Sequence, residues 1–210
     1  MINLRGERNK EKFIKAHDIK PISHQKLLNG QTKYSVGGTE LTDRYYCFLY
    51  NKKGQKEQDT FICGYSIAKR LLEMTNQAEL PLFNPLKTEN NATEGNNNLR
   101  EADNGNQANH RQWNAVAKQL SNAINLFIAY WNKPINGVLA EKHYEVNQYY
   151  YNKPFDSKIK AVNTCLERVL HNKTLKDVQE ELAKGNHIKE YNFTLLNEVL
   201  EKDSIPSQFG

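Results

Sequence analysis

The sequence lacks any apolar run that approaches the roughly 18 consecutive residues of a membrane-spanning helix. Its first residues, MINLRGERNKEKF, also lack the apolar stretch that is typical of a signal peptide. We therefore expect a soluble cytoplasmic protein with no membrane partner. The richness in asparagine and lysine resembles bacterial or phage coding.

Cysteine is scarce, and the three thiols, Cys47, Cys63 and Cys165, form no C-x-x-C pair. Widely spaced cysteines of odd number indicate free thiols in a reducing compartment. Cys47 and Cys63 lie on adjacent predicted strands, where an even register offset would put them on one face with His17 or His24 as further zinc ligands. Structural zinc sites usually draw their ligands from closely spaced pairs, so buried core cysteines are favoured. We expect no metal and no other cofactor.

The common catalytic signatures are missing as well. The chain has no GxxxxGK[ST], no strand-linked GxGxxG, no GxSxG and no HExxH motif. Nucleotide hydrolysis, dinucleotide redox chemistry and zinc proteolysis by those routes therefore have no support. The H-x-E form at His143 occurs without the P-C-x-x-C partner of zinc deaminases. Whether the protein is an enzyme stays open.

A break in composition divides the chain. Residues 90–109 contain eight asparagines and, apart from alanine, one aliphatic residue, Leu99. Such a segment buries too little apolar surface to offset the entropy of ordering it. Residues 1–87 hold 15 Lys and Arg against 9 Asp and Glu, whereas residues 88–210 hold 14 against 15. We predict a basic region at 1–87, a linker or long loop at 88–109 and a helical region at 110–210.

The basic region has the pattern of a small antiparallel β-meander with a covering helix. Aromatic and β-branched residues favour strands, and the Gly37-Gly38 pair indicates a tight hairpin. In chain order, we predict a helix at 7–17, a helical turn at Ser23–Leu28, the hairpin, strands at 44–50 and 58–64, a helix capped by Ser66 that ends near Asn76, and an extended segment at 80–86.

The second half changes to a helical period. Apolar residues from Trp113 to Trp131 recur at the spacing of one broad helix face. Thr174 and Asp177 have the spacing of a capping box. Short connections favour antiparallel neighbours, so we predict an α+β fold whose second part is a helical bundle. The predicted helices cover about 113–131, 137–151, 156–171 with Asp156 as the N-cap, 174–185 and 193–202.

The positive charge and the aromatic residues of the basic region are typical of a surface that binds a polyanion such as nucleic acid. Cations near phosphates release counterions, and aromatic rings stack on bases. Lysines also decorate ordinary turns and protect strand edges from pairing. Further cations lie in the N-terminal segment, at Arg5, Arg8, Lys10, Lys12 and Lys15. The predicted nucleic-acid-binding residues are Lys52, Lys53, Lys56, Lys69, Arg70, Arg44, Tyr46 and Tyr50.

An alternative function is a protein–protein adaptor that docks its partner through the helical half. Aromatic residues are favoured anchors at the centre of protein interfaces. The predicted interface residues are Trp131, Tyr144, Tyr149, Tyr150 and Tyr151.

A second alternative is a metal-dependent nuclease. Asp156 and Lys158 form a D-x-K pattern, and Glu141 or Glu145 supplies a further carboxylate for Mg²⁺. Such sites need their residues on neighbouring strands, whereas this segment is predicted to begin a helix. The His171–Arg168 pair on a helix is explained as well by the favourable placement of histidine at a helix C-terminus. The leading hypothesis is a nucleic-acid-associated binding protein, a non-catalytic subunit of a larger complex.

Overall fold

A computed structural model of the protein describes residues 2–87 and 111–210. The Asn-rich tract at 90–109, with the predicted linker around it, lies outside these residues. The described residues form seven helices and five strands, which confirms the α+β class. None of these helices has the length and apolarity that would let it cross a membrane.

Helix α1 (Glu7–Ala16) leads directly into strand β1 (His17–Lys26). The predicted helical turn at Ser23–Leu28 is wrong, because most of this segment pairs with a distant strand and its burial there outweighs local preference. Pro21 is accommodated because β1 is an edge strand. The register shifts by one residue between Pro21 and Ser23, which is a β-bulge at Ile22.

The main sheet has three antiparallel strands in the order β1-β4-β5. Strand β4 (Arg44–Lys52) is central, and β5 (Gln58–Gly64) forms a hairpin with it. A separate two-stranded hairpin consists of β2 (Lys33–Tyr34) and β3 (Glu40–Leu41), around the predicted Gly37-Gly38 turn. Both predicted strands and the predicted hairpin are thus confirmed.

Strand β4 is buried on both of its faces. Tyr46 and Phe48 pack against α1 and against α2 (Tyr65–Met74) in one apolar cluster. Cys47 and Leu49 point the other way, into the cluster formed by the helical half. Cys63 pairs with Tyr46 in the sheet register and lies in the first cluster. The two cysteines therefore occupy opposite faces, so the even offset that a shared zinc site needs does not occur.

Five helices form the second part of the chain and confirm the predicted helical region. Their boundaries differ by a few residues from the predicted ones, as is usual at helix ends. In order they are α3 (Ala115–Tyr130), α4 (Gly137–Gln148), α5 (Asp156–Leu170), α6 (Leu175–Ala183) and α7 (Thr194–Glu201).

One of the three predicted helix N-caps is present. The Thr174–Asp177 capping box at the start of α6 is present with both of its hydrogen bonds. The predicted N-caps at Ser66 and Asp156 are wrong, because each residue lies inside the first turn of its helix. Asp156 there places a negative charge beside unpaired backbone N–H groups, which is favourable without capping geometry.

Helix α3 is the centre of the molecule. Its residues 123–129 are all buried, and it packs against α4, α6, α7 and β1. Ile22, Cys47 and Leu49 of the sheet belong to the same apolar cluster as α3. Extended residues 80–86 connect the two parts further, since Phe83 bridges to Gln25 and Leu86 bridges to Ile188. The basic and helical regions therefore share the larger apolar cluster, while the cluster around Tyr46 and Phe48 lies on the other face of the sheet.

Candidate functional site

A cluster of exposed cations combines α1 with the tip of the β4–β5 hairpin. Arg8, Lys12 and Lys15 are exposed and recur at the spacing of one helix stripe. The Lys53 N–H donates a hydrogen bond to the Ala16 carbonyl over 3.0 Å, which holds the hairpin tip at the C-terminal end of α1. We call the resulting surface the basic face; it consists of Arg8, Lys12, Lys15, Lys52, Lys53 and Lys56.

No ion pair with a described residue neutralises the charges of the basic face. Within residues 2–87 and 111–210, none of its six cations lies in a salt bridge, whereas other cations of the first half do. Lys10, for example, lies 2.9 Å from Glu7. Acidic side chains on or next to these two segments moderate the charge without cancelling it; besides Glu7, which pairs with Lys10 and Arg70, they are Glu11, Asp18, Glu57 and Asp59.

An open groove of about 690 Å³ runs between α1 and the β4–β5 hairpin, directly beside these cations. Part of its lining is apolar and comes from the side chains of Ile2, Phe13 and Val36. The remaining lining residues carry hydrogen-bonding groups, and two of them, His17 and Tyr50, are also aromatic. These remaining residues are Asn3, Asn9, Lys12, His17, Tyr50, Asp59 and Thr60.

His17 has a fixed orientation in the groove. Its Nδ1–H donates to the Phe13 carbonyl over 2.9 Å, and its ring stacks on the Phe13 ring with centroids 4.4 Å apart. The Tyr50 ring meets it edge-on at 5.5 Å. Because a carbonyl accepts from Nδ1, the Nε2 atom is the one left for other partners, and among the described residues it has none.

Tyr50 and Asp59 are cross-strand neighbours at the mouth of the groove. The Tyr50 hydroxyl donates to Oδ2 of Asp59 over 3.2 Å, and the backbone N–H of Thr60 donates to Oδ1 over 2.7 Å. Partial burial, with the Asp59 charge as a second cause, raises the pKa of Tyr50, so its proton stays in place. Sequence reasoning missed the groove as a site, although it identified Tyr50.

Two of the predicted nucleic-acid-binding residues are not part of this surface. Tyr46 is fully buried, and its hydroxyl both donates to the carbonyl and accepts from the N–H of Leu80, at 3.3 and 3.2 Å. Its proposed use as a stacking surface is wrong for that reason. Arg44 lies at the far end of β4, about 26 Å from Lys52 at the usual strand rise. Its guanidinium covers the Tyr65 ring at 4.1 Å.

Lys69 and Arg70 lie on α2, close to the N-terminal end of α1. Arg70 makes ion pairs with Glu7 at 2.7 Å and with Glu73 at 3.2 Å, so its charge is locally compensated. Lys69 is exposed. Arg70 therefore lies beside α1 with a compensated charge, whereas Lys69, the preceding residue of α2, has no ion pair among the described residues.

The predicted interface residues of the helical half separate into two places. Trp131 follows the C-terminal end of α3, where its ring stacks on Phe127. Tyr150 lies at the other end, because its carbonyl accepts a hydrogen bond from the N–H of Asn114, the N-cap of α3. The ends of this 16-residue helix are about 24 Å apart at 1.5 Å per residue. Trp131 is thus not part of one surface with the tyrosines.

The remaining predicted interface residues lie near one another, since Tyr149, Tyr150 and Tyr151 are consecutive, and burial together with the nearby Tyr149 raises the pKa of Tyr144. Phe155 is 75% exposed and Tyr149 is 55% exposed, and the Lys158 ammonium lies 6.0 Å from each of the two rings. Arg111 lies 4.2 Å from the Tyr151 ring, which meets Tyr150 edge-on. We call this area the tyrosine surface; it consists of Tyr144, Tyr149, Tyr150, Tyr151 and Phe155.

A polar network occupies the interior between β1, α3 and α4. Oδ1 of Asn125 accepts hydrogen bonds from Ser23 Oγ at 2.9 Å, Gln25 Nε2 at 2.7 Å and His143 Nε2 at 3.1 Å. All four side chains are buried. Burial lowers the pKa of His143 to about 3, so the ring is neutral at physiological pH. The network fixes the two helices against the sheet, and it places the H-x-E histidine away from solvent.

The residues suggested for a nuclease are occupied otherwise. Glu145 pairs with Lys142 at 3.0 Å and with Lys158 at 2.9 Å. Asp156 is exposed at the start of α5 rather than on a strand. Across residues 2–87 and 111–210, no group of three or more His, Cys, Asp and Glu side chains is arranged to hold a metal ion.

Comparison with known proteins gives one result. A family model described as uncharacterised conserved protein UCP028583 matches residues 2–209. No curated protein and no solved structure matches the chain. The family match spans both the basic face and the tyrosine surface, and its description gives no ligand or partner. Any function must therefore be argued from the geometry of the described residues.

Proposed function

The chain belongs to this family, and we propose that it is a nucleic-acid-associated binding protein that contacts the phosphate backbone through its basic face. In this proposal it is a non-catalytic subunit of a larger complex. We place it in the cytoplasm, where its three free cysteines stay reduced.

The single observation that supports this function most is the set of unpaired cations around the groove. Six exposed Lys and Arg side chains on α1 and the adjoining hairpin tip lie outside any salt bridge with the described residues. Cations that are already paired gain little from phosphates, whereas unpaired ones release condensed counterions from the nucleic acid. The hydrogen bond between Lys53 and Ala16 joins the two backbone segments that carry these charges.

The test is the salt dependence of binding. Fluorescence anisotropy with labelled single- and double-stranded DNA and RNA would give affinities between about 50 and 200 mM salt. We expect log K to fall linearly with log salt concentration. The triple variant Lys52→Glu, Lys53→Glu, Lys56→Glu should lower the steepness of that slope by about 2 to 3, since each phosphate contact contributes about 0.7 to 0.9.

A matched control carries the same change of charge elsewhere. Lys176, Lys184 and Lys202 are exposed on the helical half, away from α1 and the hairpin. Their replacement by Glu should leave the slope close to that of the unmodified protein. Equal losses in both triple variants would mean that net charge alone drives binding, and no binding to any of the four nucleic acids at low salt would overturn the proposal.

A second candidate function, a protein–protein adaptor, is favoured by the tyrosine surface. Exposed aromatic side chains as large as Phe155 and Tyr149 are typical anchors of interface cores. The double variant Tyr149→Ala, Phe155→Ala should then lose a protein partner that co-purifies with the unmodified chain, while its nucleic-acid affinity stays unchanged. The same partner recovered with both proteins would count against this function.

A further inference from the structure

We infer that the groove between α1 and the β4–β5 hairpin receives one unpaired nucleotide of a single strand, and that it prefers a base with an amino group. This inference rests on the proposed function and adds the substrate class. Cytosine, adenine and guanine carry such a group, whereas uracil and thymine do not. DNA and RNA strands present the same base edges, so the chemistry is common to both.

The size and the walls of the groove fit such a unit. Its volume of about 690 Å³ lies within the range of small-ligand sites. An unpaired base has two apolar faces and one edge of donors and acceptors. The groove offers apolar contact from Ile2 and Val36, aromatic contact from His17 and Tyr50, and hydrogen-bonding groups among its other lining residues. In a duplex the base faces and pairing edges are already covered, so a duplex cannot fill this groove.

The preference for an amino group comes from Asp59. A carboxylate only accepts hydrogen bonds, and each of its oxygens has two lone pairs. Thr60 and Tyr50 each occupy one of these positions, on different oxygens, and so orient the carboxylate while leaving acceptor capacity on both. A negatively charged acceptor repels phosphate but accepts well from the exocyclic amine of a base. Where cytosine carries this amine, uracil and thymine carry a carbonyl oxygen, which cannot donate a hydrogen bond to Asp59.

The phosphates on either side of the bound nucleotide can follow the cations of the basic face. Lys12 lines the groove and also belongs to the basic face, which continues over Lys15 to the hairpin lysines. A strand that places one base in the groove therefore has cations along its backbone on the side of α1. The Nε2 atom of His17, which lacks a described partner, adds a further hydrogen-bonding group between the base and this path.

The experiment compares short labelled homopolymers of C, A and U, and the DNA counterparts, at one salt concentration. Oligo-C and oligo-A should bind about 10-fold more tightly than oligo-U or oligo-T, in line with about 1 to 3 kcal/mol for a base-specific contact. Asp59→Asn keeps the shape of the side chain but removes its charge and one acceptor oxygen, and it should reduce the preference to less than about 3-fold. Asp59 is exposed, so the variant is expected to fold, which its melting temperature will check.

Two controls distinguish the contribution of the groove to binding from that of the basic face. Glu57→Gln makes the same change of charge at an exposed hairpin position that does not line the groove, and it should keep the base preference. The triple lysine variant should weaken all strands by the same factor. Salt-dependent binding without any base preference would overturn the inference on the groove alone. A preference unchanged in Asp59→Asn would overturn the role of that carboxylate. Absence of salt-dependent binding would overturn the proposed function itself.

Discussion

Nε2 of His143 lies 3.1 Å from Oδ1 of Asn125, deep between α4 and α3. An amide oxygen can only accept, so Nε2 carries the proton and Nδ1 carries the lone pair. Nδ1 has no partner among the described residues. The histidine is therefore a neutral interior group whose protonation would place an uncompensated charge in the core.

This arrangement predicts acid sensitivity. Burial lowers the pKa of His143 from 6.5 to about 3, so between these values the unfolded chain binds more protons than the folded one. The free energy of unfolding should fall as the pH decreases from 6.5 toward 3. His143→Gln retains an amide donor for Asn125 and does not titrate, so urea unfolding at several pH values should give a flatter profile. An identical profile for both proteins would contradict the prediction.

The buried ammonium of Lys33 predicts that the free energy of unfolding also depends on pH in the alkaline range. Its ammonium is buried and donates to the Trp131 carbonyl at 2.6 Å, just past the end of α3. Burial lowers its pKa to about 8 from 10.5, so the free energy of unfolding should rise as the pH increases through this interval. Lys33→Met removes the titrating group and should lack this rise in chemical denaturation curves. A rise of equal size in the variant would assign it to other groups.

Core packing gives a prediction with an internal control. Phe48 is fully buried and stacks on Phe61 with centroids 5.3 Å apart. Phe48→Ala should lower the free energy of unfolding by about 3 to 5 kcal/mol, through lost burial and the cavity left behind. Phe155→Ala removes the same atoms from a ring that is 75% exposed and should change stability little. Comparable losses for both variants would mean that the described core is misassigned.

The capping box of α6 predicts a smaller effect. The Thr174 hydroxyl accepts from the Asp177 N–H, and the Asp177 carboxylate accepts from the Thr174 N–H at 2.6 Å. Thr174→Ala should cost about 1 kcal/mol, a typical value for loss of an N-cap. Thr164→Ala is a suitable comparison, because Thr164 is exposed in the middle of α5. Thermal unfolding of both variants will show whether the position or the residue type matters.

A substitution at Tyr46 should lower the free energy of unfolding without changing nucleic-acid affinity. Tyr46→Phe removes the hydroxyl that holds both backbone groups of Leu80, and this should cost about 0.5 to 1.5 kcal/mol per lost hydrogen bond. Because the ring is fully buried, nucleic-acid affinity measured well below the melting temperature should not change. A selective loss of affinity in this variant would show that Tyr46 becomes accessible when a strand binds.

Much of the fold is predictable because its signals are local. The Thr174-x-x-Asp177 pattern and the β-prone run at Gln58–Gly64 each depend on neighbouring residues, and both correspond to elements of the structure. The segment Ser23–Leu28 was mispredicted because its strand exists only through pairing with β4, some twenty residues later. Such long-range pairing leaves no trace in a short window of sequence.

The candidate site is less predictable for the same reason. The lysines at the hairpin tip are evident from composition, but their contact with α1 depends on one backbone hydrogen bond between Lys53 and Ala16. Nothing in the local sequence around Asp59 or His17 indicates that the fold places both of them in the lining of one groove. Equally, the tyrosine run at 149–151 gave no indication that the whole length of α3 separates it from Trp131.

Because both faces of β4 are buried, the register of this strand against its neighbours is strongly constrained. Shifting this strand by one residue against its neighbours would turn Tyr46 and Phe48 toward α3 and turn Cys47 and Leu49 toward α1 and α2. Both clusters would then receive side chains of the wrong volume at the same moment. The alignment of the strand is therefore fixed from two sides, and with it the backbone position of Lys52 at its end. The packing of the strand sets where this side chain is attached, while its exposed ammonium keeps the rotamer freedom of a surface lysine.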